Sequence, residues 1–445
     1  RHRGRRRRPR FLARMLEVAR IIGGVPLKGE VRAAGAKNAA LPLMAASLLS
    51  AETVTLRGVP DLSDVRFMAE ILRHLGASAE SPEPGVWRIR AAQVSHRTPY
   101  ELVRKMRASV CLLGALVGRL GRAEMAVPGG CVIGPRPIDL HLRGLESLGC
   151  RVTLEAGVVS VDATAARGGE VDMGGPMGST VLGTANLVMA AALTRGSTRV
   201  LNAAREPEVS DLCDLLRKMG AHVSGDGTAT IEVEGVPSLG GADHAIIADR
   251  IEAGTYLAAG AITGGDVTVR GAEAAHLGAF LGRLEAAGVE ILHGPGFVRA
   301  RGLPRRGVDV VTEPHPGFPT DLQAQFMAVQ LMAPGVTTVT EKVYPHRFMH
   351  VAELQRMGAD IRLDGAVATV HGGRPLSGAP VMASDLRASA ALILAGLAAT
   401  GETWVQRLYH LDRGYEKFEE RLRGLGADVV RLPQSEMPSS LRAED

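Results

Sequence analysis

The sequence predicts an α/β fold of two domains, each made of three copies of one strand-helix-strand-helix-strand block. Three observations carry that expectation. A glycine phrase recurs six times, a Thr/Val-rich phrase precedes it each time, and a length of 445 residues exceeds what one compact domain holds. The glycine phrase reads LRHLGASAES, LESLGCRVTL, LRKMGAHVSG, LEAAGVEILH, LQRMGADIRL and LRGLGADVVR. Its glycines are Gly76, Gly149, Gly220, Gly288, Gly358 and Gly426, spaced by 73, 71, 68, 70 and 68 residues. Each copy predicts the end of an amphipathic helix, a glycine cap and then an alternating strand. The Thr/Val phrase lies 23 to 28 residues earlier, as AETVTL, GSTRVL, GDVTVR, GVTTVT and GETWVQ, and residues 121–127 fit it more loosely. A helix rich in small residues precedes each of these strands.

Composition narrows the function classes. Only 3% of the chain is aromatic, so its cores are expected to consist of Ala, Val, Leu, Ile and Met. The net charge of +5 comes from residues 1–15, which hold eight arginines and no acid; the rest has 44 basic and 47 acidic residues, or −3. A block of like charge suggests a nucleic-acid arm, and the alternative is a translated upstream stretch, which is excluded from fold reasoning. The segment is instead read as lying outside the fold, with Met15 as the natural start and residues 1–14 a disordered tail, and no nucleic-acid partner is expected. Glu17 and Arg20 interrupt any signal-peptide core, and the longest uncharged apolar run, residues 388–399, is too short to span a bilayer. A cytoplasmic protein with no membrane partner is expected. The four cysteines have neither zinc spacing nor a disulfide pattern, and HExxH, P-loop and dinucleotide motifs are missing, so no metal and no cofactor is expected.

Chemistry is sought first in PGGCVIGPRPIDLH, residues 128–141. Pro128, Gly129 and Gly130 place Cys131 on a turn rather than inside a regular element, and Arg136 between Pro135 and Pro137 is presented with little ordering cost. The other thiols read as core: Cys150 takes the position filled by Ala77, Ala221, Val289, Ala359 and Ala427 in the other copies, while Cys111 and Cys213 lie on apolar helix faces. The starts of the small-residue helices carry cations at Lys37, Arg107, Arg250 and Arg387. A cation there opposes the helix dipole at about 0.3–1 kcal/mol each, which is reasonable if an anion sits beside it. The repetition predicts helix starts converging on a cleft for a ligand with several negative charges. Asp249 and Asp385 read as helix caps. Asp321 differs, because Pro314, Pro316 and Pro319 build a rigid approach to it with His315 nearby, and a carboxylate among cations is a reasonable general base.

Taken together, the motifs resemble the enolpyruvyl transferases. The matching strings are GAKNAALP (35–42), KMRAS (105–109), PGGCVIGPRPIDLH (128–141), NAAREPE (202–208), DRIEAGT (249–255), PHPGFPTDLQAQF (314–326), RFMHVAEL (347–354), DLRASA (385–390) and YHLDRGYEKFEERL (409–422), in order over nearly the whole chain. The resemblance implies an inverse α/β barrel architecture of two domains, each of three βαβαββ units. One domain would span 37–247 and carry the Cys131 loop; 15–36 with 248–433 would form the second, followed by a C-terminal tail over 434–445. It also implies transfer of the enolpyruvyl group of phosphoenolpyruvate to the 3-hydroxyl of UDP-N-acetylglucosamine with release of phosphate, the first committed step of peptidoglycan synthesis. Cys131 would be the general acid toward the enol methylene carbon and the site of fosfomycin alkylation, and Asp321 would take the sugar hydroxyl proton. Lys37, Asn38, Arg136, Arg387 and Arg413 would surround phosphoenolpyruvate. Arg107, the run Arg136, Pro137, Ile138, Asp139 and Leu140, then Asp321 and Val343 would contact the UDP-sugar, and Arg347 would be a further substrate-binding residue. The loop cysteine and the NAAREPE string argue against the shikimate-pathway branch of the family. Residues 178–183, GSTVLG, depart from the Lys-x-Ser-x-Gly pattern common at that helix start.

Overall fold

A computed structural model describes residues 17–104, 106–127 and 138–441. The chain divides into two compact units: a first comprising Ala34–Asp249 and Glu313–Gly317, and a second comprising the residues up to Ala33, Arg250–Thr312 and Phe318 onward. The predicted phrases form elements in every copy. The Thr/Val phrases are the strands Thr53–Arg57, Arg122–Ala126, Ser197–Leu201, Asp266–Arg270, Gly335–Thr340 and Glu402–Gln406. The glycine phrases end the helices Ser63–His74, Asp139–Ser147, Pro207–Lys218, Gly278–Ala286, His350–Arg356 and Phe418–Gly424.

One local motif explains why the phrase repeats. All six glycines have φ between +85° and +102°, a left-handed conformation that a side chain resists. The residue after each glycine donates its N–H to the carbonyl of a leucine five positions back, at Leu72, Leu145, Leu216, Leu284, Leu354 and Leu422, over 2.9–3.1 Å. That is the Schellman closure, and it packs the residue after glycine against the last turn of the helix. Hence the position is small and buried in every copy except one half-buried alanine, and Cys150 is one of the set.

Each sheet is assembled by the same rule. In the first copy, Thr53–Arg57 runs antiparallel to Val86–Arg90, which pairs antiparallel with Ser78–Glu83. A fourth strand, Ala242–Ala245 from the end of the third copy, joins in parallel and closes the ring of the first unit. Likewise Glu170–Asp172 joins Ser197–Leu201 in parallel. In the second unit, Lys28–Arg32, Val310–Val311 and Pro380–Met382 take that parallel place in the three successive sheets. The sixth copy lacks a strand of its own: Glu17–Ile22, from the other end of the chain, lies between Glu402–Gln406 and Asp428–Pro433, antiparallel to both. Beyond Pro433 the chain still packs, with Met437 buried against Val18 and Trp404.

Each unit therefore has its sheets outside and its small-residue helices inside, an inverse α/β barrel. In the first unit these helices are Lys37–Ala46, Leu112–Leu120 and Val181–Ala191; in the second they are Arg250–Ile262, Gln323–Gln330 and Leu386–Ala398. All thirteen residues of Arg250–Ile262 are buried. Such helices need small residues for their backbones to approach: a Cβ on Gly114 would stand 2.1 Å from the Asn186 carbonyl oxygen. Cys111 and Cys213 are buried as expected, and burial pushes both thiols up to about 12.

Candidate active site

The first unit positions Lys37 at the start of the buried helix Lys37–Ala46. That helix has no side-chain cap of its own. The Lys37 N–H donates instead to Asp249 Oδ2 at 3.2 Å, and the ammonium pairs with Asp64 Oδ2 at 2.8 Å. Asp249 thus caps a helix 212 residues away in sequence. Asn38 follows, half-buried. Arg107 does not begin an α-helix; it opens a 3-10 turn, Arg107–Cys111, that leads into Leu112–Leu120. Close to it, His141 is buried and its Nδ1 accepts from the Asn186 amide at 2.8 Å, while the same amide donates to the Val110 carbonyl at 2.8 Å. Burial first, and then the charge of Arg107, hold the His141 pKa down to about 4 against the opposing pull of Asp139. Ile138 is buried ahead of the helix Asp139–Ser147, Asp139 is exposed and Leu140 half-buried.

Cys131, Arg136 and Pro137 lie outside the described residues. The variant 178–183 segment is ordered by other means than a lysine: Gly178–Ser179 pairs with Gly174–Gly175, and Thr180 caps the next helix by accepting the Gly183 N–H at 3.2 Å. Glu206, from the NAAREPE string, is buried and accepts the His315 N–H at 3.2 Å.

The second unit gathers Asp321, Arg347 and Arg387. Asp321 lies on the 3-10 turn Thr320–Leu322, and its side chain caps no helix there. It accepts from Arg347 Nη1 at 2.8 Å through Oδ1 and from Arg387 Nη2 at 3.1 Å through Oδ2. The two guanidiniums are 8% and 3% exposed against 26% for the carboxylate, so Asp321 is the outward member of the trio. Burial alone would lower the Arg347 pKa, but Asp321 and Asp385 outweigh it and the group is held above its ordinary value. Arg347 lies 5.8 Å over the Tyr344 ring and Arg387 5.4 Å over Tyr415. Asp385 caps Leu386–Ala398 as expected, accepting from the N–H groups of Arg387 at 2.9 Å and Ala388 at 3.1 Å. Val343 is half-buried with its N–H directed to Glu341 Oε1 at 2.9 Å. Arg413 is half-buried at the end of the 3-10 turn Leu408–Arg413, and its charge reaches His410, whose pKa is lowered mainly by burial.

The expected anions at the cationic helix starts are thus present in part as the chain's own carboxylates: Asp64 and Asp249 at Lys37, Asp321 and Asp385 at Arg387. Sequence reasoning missed Asp64, Asn186, Glu341 and Tyr415. Only Tyr415 left a signal, as one of few aromatics in the chain and a member of the 409–422 string.

Comparison with known proteins agrees with this architecture. A family described as EPSP synthase (3-phosphoshikimate 1-carboxyvinyltransferase) matches residues 21–422. A protein of Sorangium cellulosum (strain So ce56), named UDP-N-acetylglucosamine 1-carboxyvinyltransferase, is 53% identical over 420 residues, 94% of this chain and 99% of its own. Proteins of the same name from Anaeromyxobacter sp. (strain Fw109-5) and Paracoccus denitrificans (strain Pd 1222) are 55% and 52% identical, over 92% and 93% of this chain and 98% and 97% of theirs. Among solved structures, the enolpyruvyl transferase NikO from Streptomyces tendae superimposes with a TM-score of 0.84 at 28% identity, covering 93% of this chain and 98% of that one. An EPSP synthase from Acinetobacter baumannii shares the fold, with a TM-score of 0.71 at 18% identity over 94% of this chain and 99% of that one. With its sixfold repeat, its inverse barrels and relatives matching over nearly full length, the chain belongs to the enolpyruvyl transferase family of enzymes.

Proposed function

We propose that this enzyme transfers the enolpyruvyl group of phosphoenolpyruvate to the 3-hydroxyl of UDP-N-acetylglucosamine and releases phosphate, the first committed step of peptidoglycan synthesis in the cytoplasm. The observation that carries the reading is a carboxylate held outward by two buried arginines, Asp321 on Arg347 and Arg387, in a chain 53% identical to a relative named for that reaction. An ionised carboxylate is acceptor-only, so a hydroxyl that approaches Asp321 does so as a donor.

The resemblance to the family supplies the other roles, and the chemistry fits them. Protonation of the enol methylene by the Cys131 thiol, mostly protonated at neutral pH with a reference pKa near ~8.5, makes an oxocarbenium-like centre at the adjoining carbon. The sugar 3-oxygen bonds to that carbon while Asp321 accepts its proton, giving a tetrahedral adduct. The Cys131 thiolate then takes back a methyl proton as the carbon–oxygen bond to phosphate breaks, which yields the enol ether and free phosphate. A carboxylate is a weak base, which suffices because the hydroxyl becomes strongly acidic only as its oxygen bonds to the cationic carbon. Lys37, Asn38, Arg136, Arg387 and Arg413 hold the phosphate and carboxylate of phosphoenolpyruvate, where developing charge is best stabilised by fixed cations. Arg107, Arg136, Pro137, Ile138, Asp139, Leu140, Val343 and Arg347 hold the UDP-sugar. The test is phosphate release: it requires both substrates, is abolished by fosfomycin, and Cys131→Ser removes the covalent attachment of the drug. Release with shikimate 3-phosphate or another UDP-sugar instead of UDP-N-acetylglucosamine refutes the acceptor assignment.

A further inference from the structure

Glu341 is fully buried at the end of the strand Gly335–Thr340, and nothing in its sequence context marks it. Its carboxylate gathers four donors from three separate segments. Oε1 accepts from Thr312 Oγ1 at 2.6 Å and from the N–H groups of Val343 and Tyr344, each at 2.9 Å. Oε2 accepts from Thr320 Oγ1 at 2.9 Å. Thr320 is the neighbour of Asp321, and its hydroxyl oxygen also accepts from Arg347 Nη1 at 3.1 Å, the same nitrogen that donates to Asp321 Oδ1. The turn that Glu341 holds continues to Arg347, whose N–H donates to the Tyr344 carbonyl at 2.9 Å.

Only a carboxylate fits this place. Each donor points at one side chain sealed from water, and a carboxylate is acceptor-only with room for about four bonds. An amide would turn one edge into a donor, and an apolar group would strand buried polar groups at about 1–3 kcal/mol each. The carboxylate therefore sets the spacing between the turn bearing Asp321 and the turn bearing Val343 and Arg347.

We infer that Glu341 is a positioning residue that holds the base Asp321 in register with the Val343–Arg347 turn, and so controls where the acceptor hydroxyl of the UDP-sugar meets its base. The inference rests on the roles proposed for Asp321, Val343 and Arg347. Glu341 itself touches no reacting atom and acts through Thr320 and the two backbone N–H groups.

The test is a double-mutant cycle in the full chain with Glu341→Gln and Thr320→Val, following phosphate release with each substrate varied in turn. Glutamine can keep its oxygen toward Thr312, Val343 and Tyr344 while its NH2 faces Thr320, and the valine removes the Thr320 hydroxyl, with both its bond to Glu341 and the one it accepts from Arg347 Nη1. Each single variant is expected to lower kcat by about 10- to 100-fold, the usual cost of losing an orienting partner. KM for the UDP-sugar should rise several-fold while KM for phosphoenolpyruvate stays within twofold. The double variant should be hardly worse than Thr320→Val alone, because the effect of the glutamine runs through the hydroxyl that the valine has already removed. Equal changes in both KM values, fully multiplicative losses, or kcat within twofold of the parent in the folded variants would overturn the inference. Should Glu341→Gln fail to fold, Thr320→Val alone decides by the same KM split. Absence of turnover in the parent chain refutes the proposed function and this inference with it, whereas a working parent with indifferent variants refutes the inference alone.

Discussion

Replacing Asp321 with asparagine separates its chemical role from its structural one. The side chain keeps its shape and one carbonyl oxygen, but it loses the charge and places an NH2 against one arginine. Of the two charge-assisted bonds, at 2.8 and 3.1 Å, one is lost. Such a bond is worth about 1.5–3 kcal/mol, and the 26% exposure of the carboxylate favours the low end. A loss of about 2 kcal/mol in a unit of this size lowers the melting temperature by about 4–8 °C. Alanine would be a poorer probe: it leaves two guanidiniums, 8% and 3% exposed, without that partner, at about 3–5 kcal/mol for a broken buried pair. If Asp321 is the base, the asparagine variant loses about 10²–10⁴ in kcat, far more than a few degrees of melting temperature explains at 25 °C. Phosphate release under saturating substrates gives kcat, calorimetric titration gives UDP-N-acetylglucosamine affinity, and scanning calorimetry gives the melting temperature. A kcat within threefold of the parent, with the melting shift present, would refute the assignment of Asp321 as base.

Three further outcomes follow from the same geometry. Lys37→Met strips the buried Asp64 of its 2.8 Å partner, so both stability and the KM for phosphoenolpyruvate should suffer, by about 3–5 kcal/mol and at least tenfold respectively, in urea unfolding and steady-state kinetics. Among the described residues, two buried imidazoles have a pKa held down to about 4: His141, facing Arg107, Asp139 and Asn186, and His350, facing Asp385 and Arg347. Against an unfolded value near ~6.5, the unfolded chain binds more protons in between, so this stability is complete above pH ~6.5 and lost on acidification toward pH ~4, by on the order of 3 kcal/mol per histidine in full, of which about 2 kcal/mol is expected between urea unfolding at pH 7.5 and at pH 5. Gly114→Ala would press a methyl group to 2.1 Å from the Asn186 carbonyl oxygen, and thermal unfolding should register a loss of about 1–3 kcal/mol or more.

The fold was legible where its cause is local. Six glycines with positive φ, six leucines five residues behind the closing N–H, and six small residues between helix and strand are one motif written six times. The small-residue helices were legible for a related reason, since backbone approach requires such residues wherever the helices go. What could not be read was completion at a distance. Nothing in EVARII says that Glu17–Ile22 fills the sixth sheet between Glu402–Gln406 and Asp428–Pro433, because an apolar strand is compatible with many partners. The roles proposed for Cys131 and Arg136 rest on the sequence alone.

The same division runs through the site and has a physical root. A cation at a buried helix start must have a counter-charge, because an uncompensated buried charge is far costlier than any helix-dipole term. That requirement made Lys37 and Arg387 conspicuous in the sequence, and it is why an anionic ligand was expected beside them. It does not say which anion answers. The chain answers with Asp64 and Asp249 around Lys37, and with Asp321 and Asp385 around Arg387, residues brought from 27 to 212 positions away or from the cap two positions before. Asp64 and Asp321 also do what a surplus of cations could not: they fix the Lys37 ammonium and the Arg387 guanidinium in one direction. On the roles proposed for Lys37 and Arg387, a ligand phosphate would be met by groups already oriented, and the cost of ordering them would fall on folding rather than on binding. On this account Lys37→Arg, which keeps the charge but changes the shape facing Asp64, should fail nearly as badly in KM for phosphoenolpyruvate as Lys37→Met, and recovery of that KM would show that charge alone, not its placement, is what the helix start supplies.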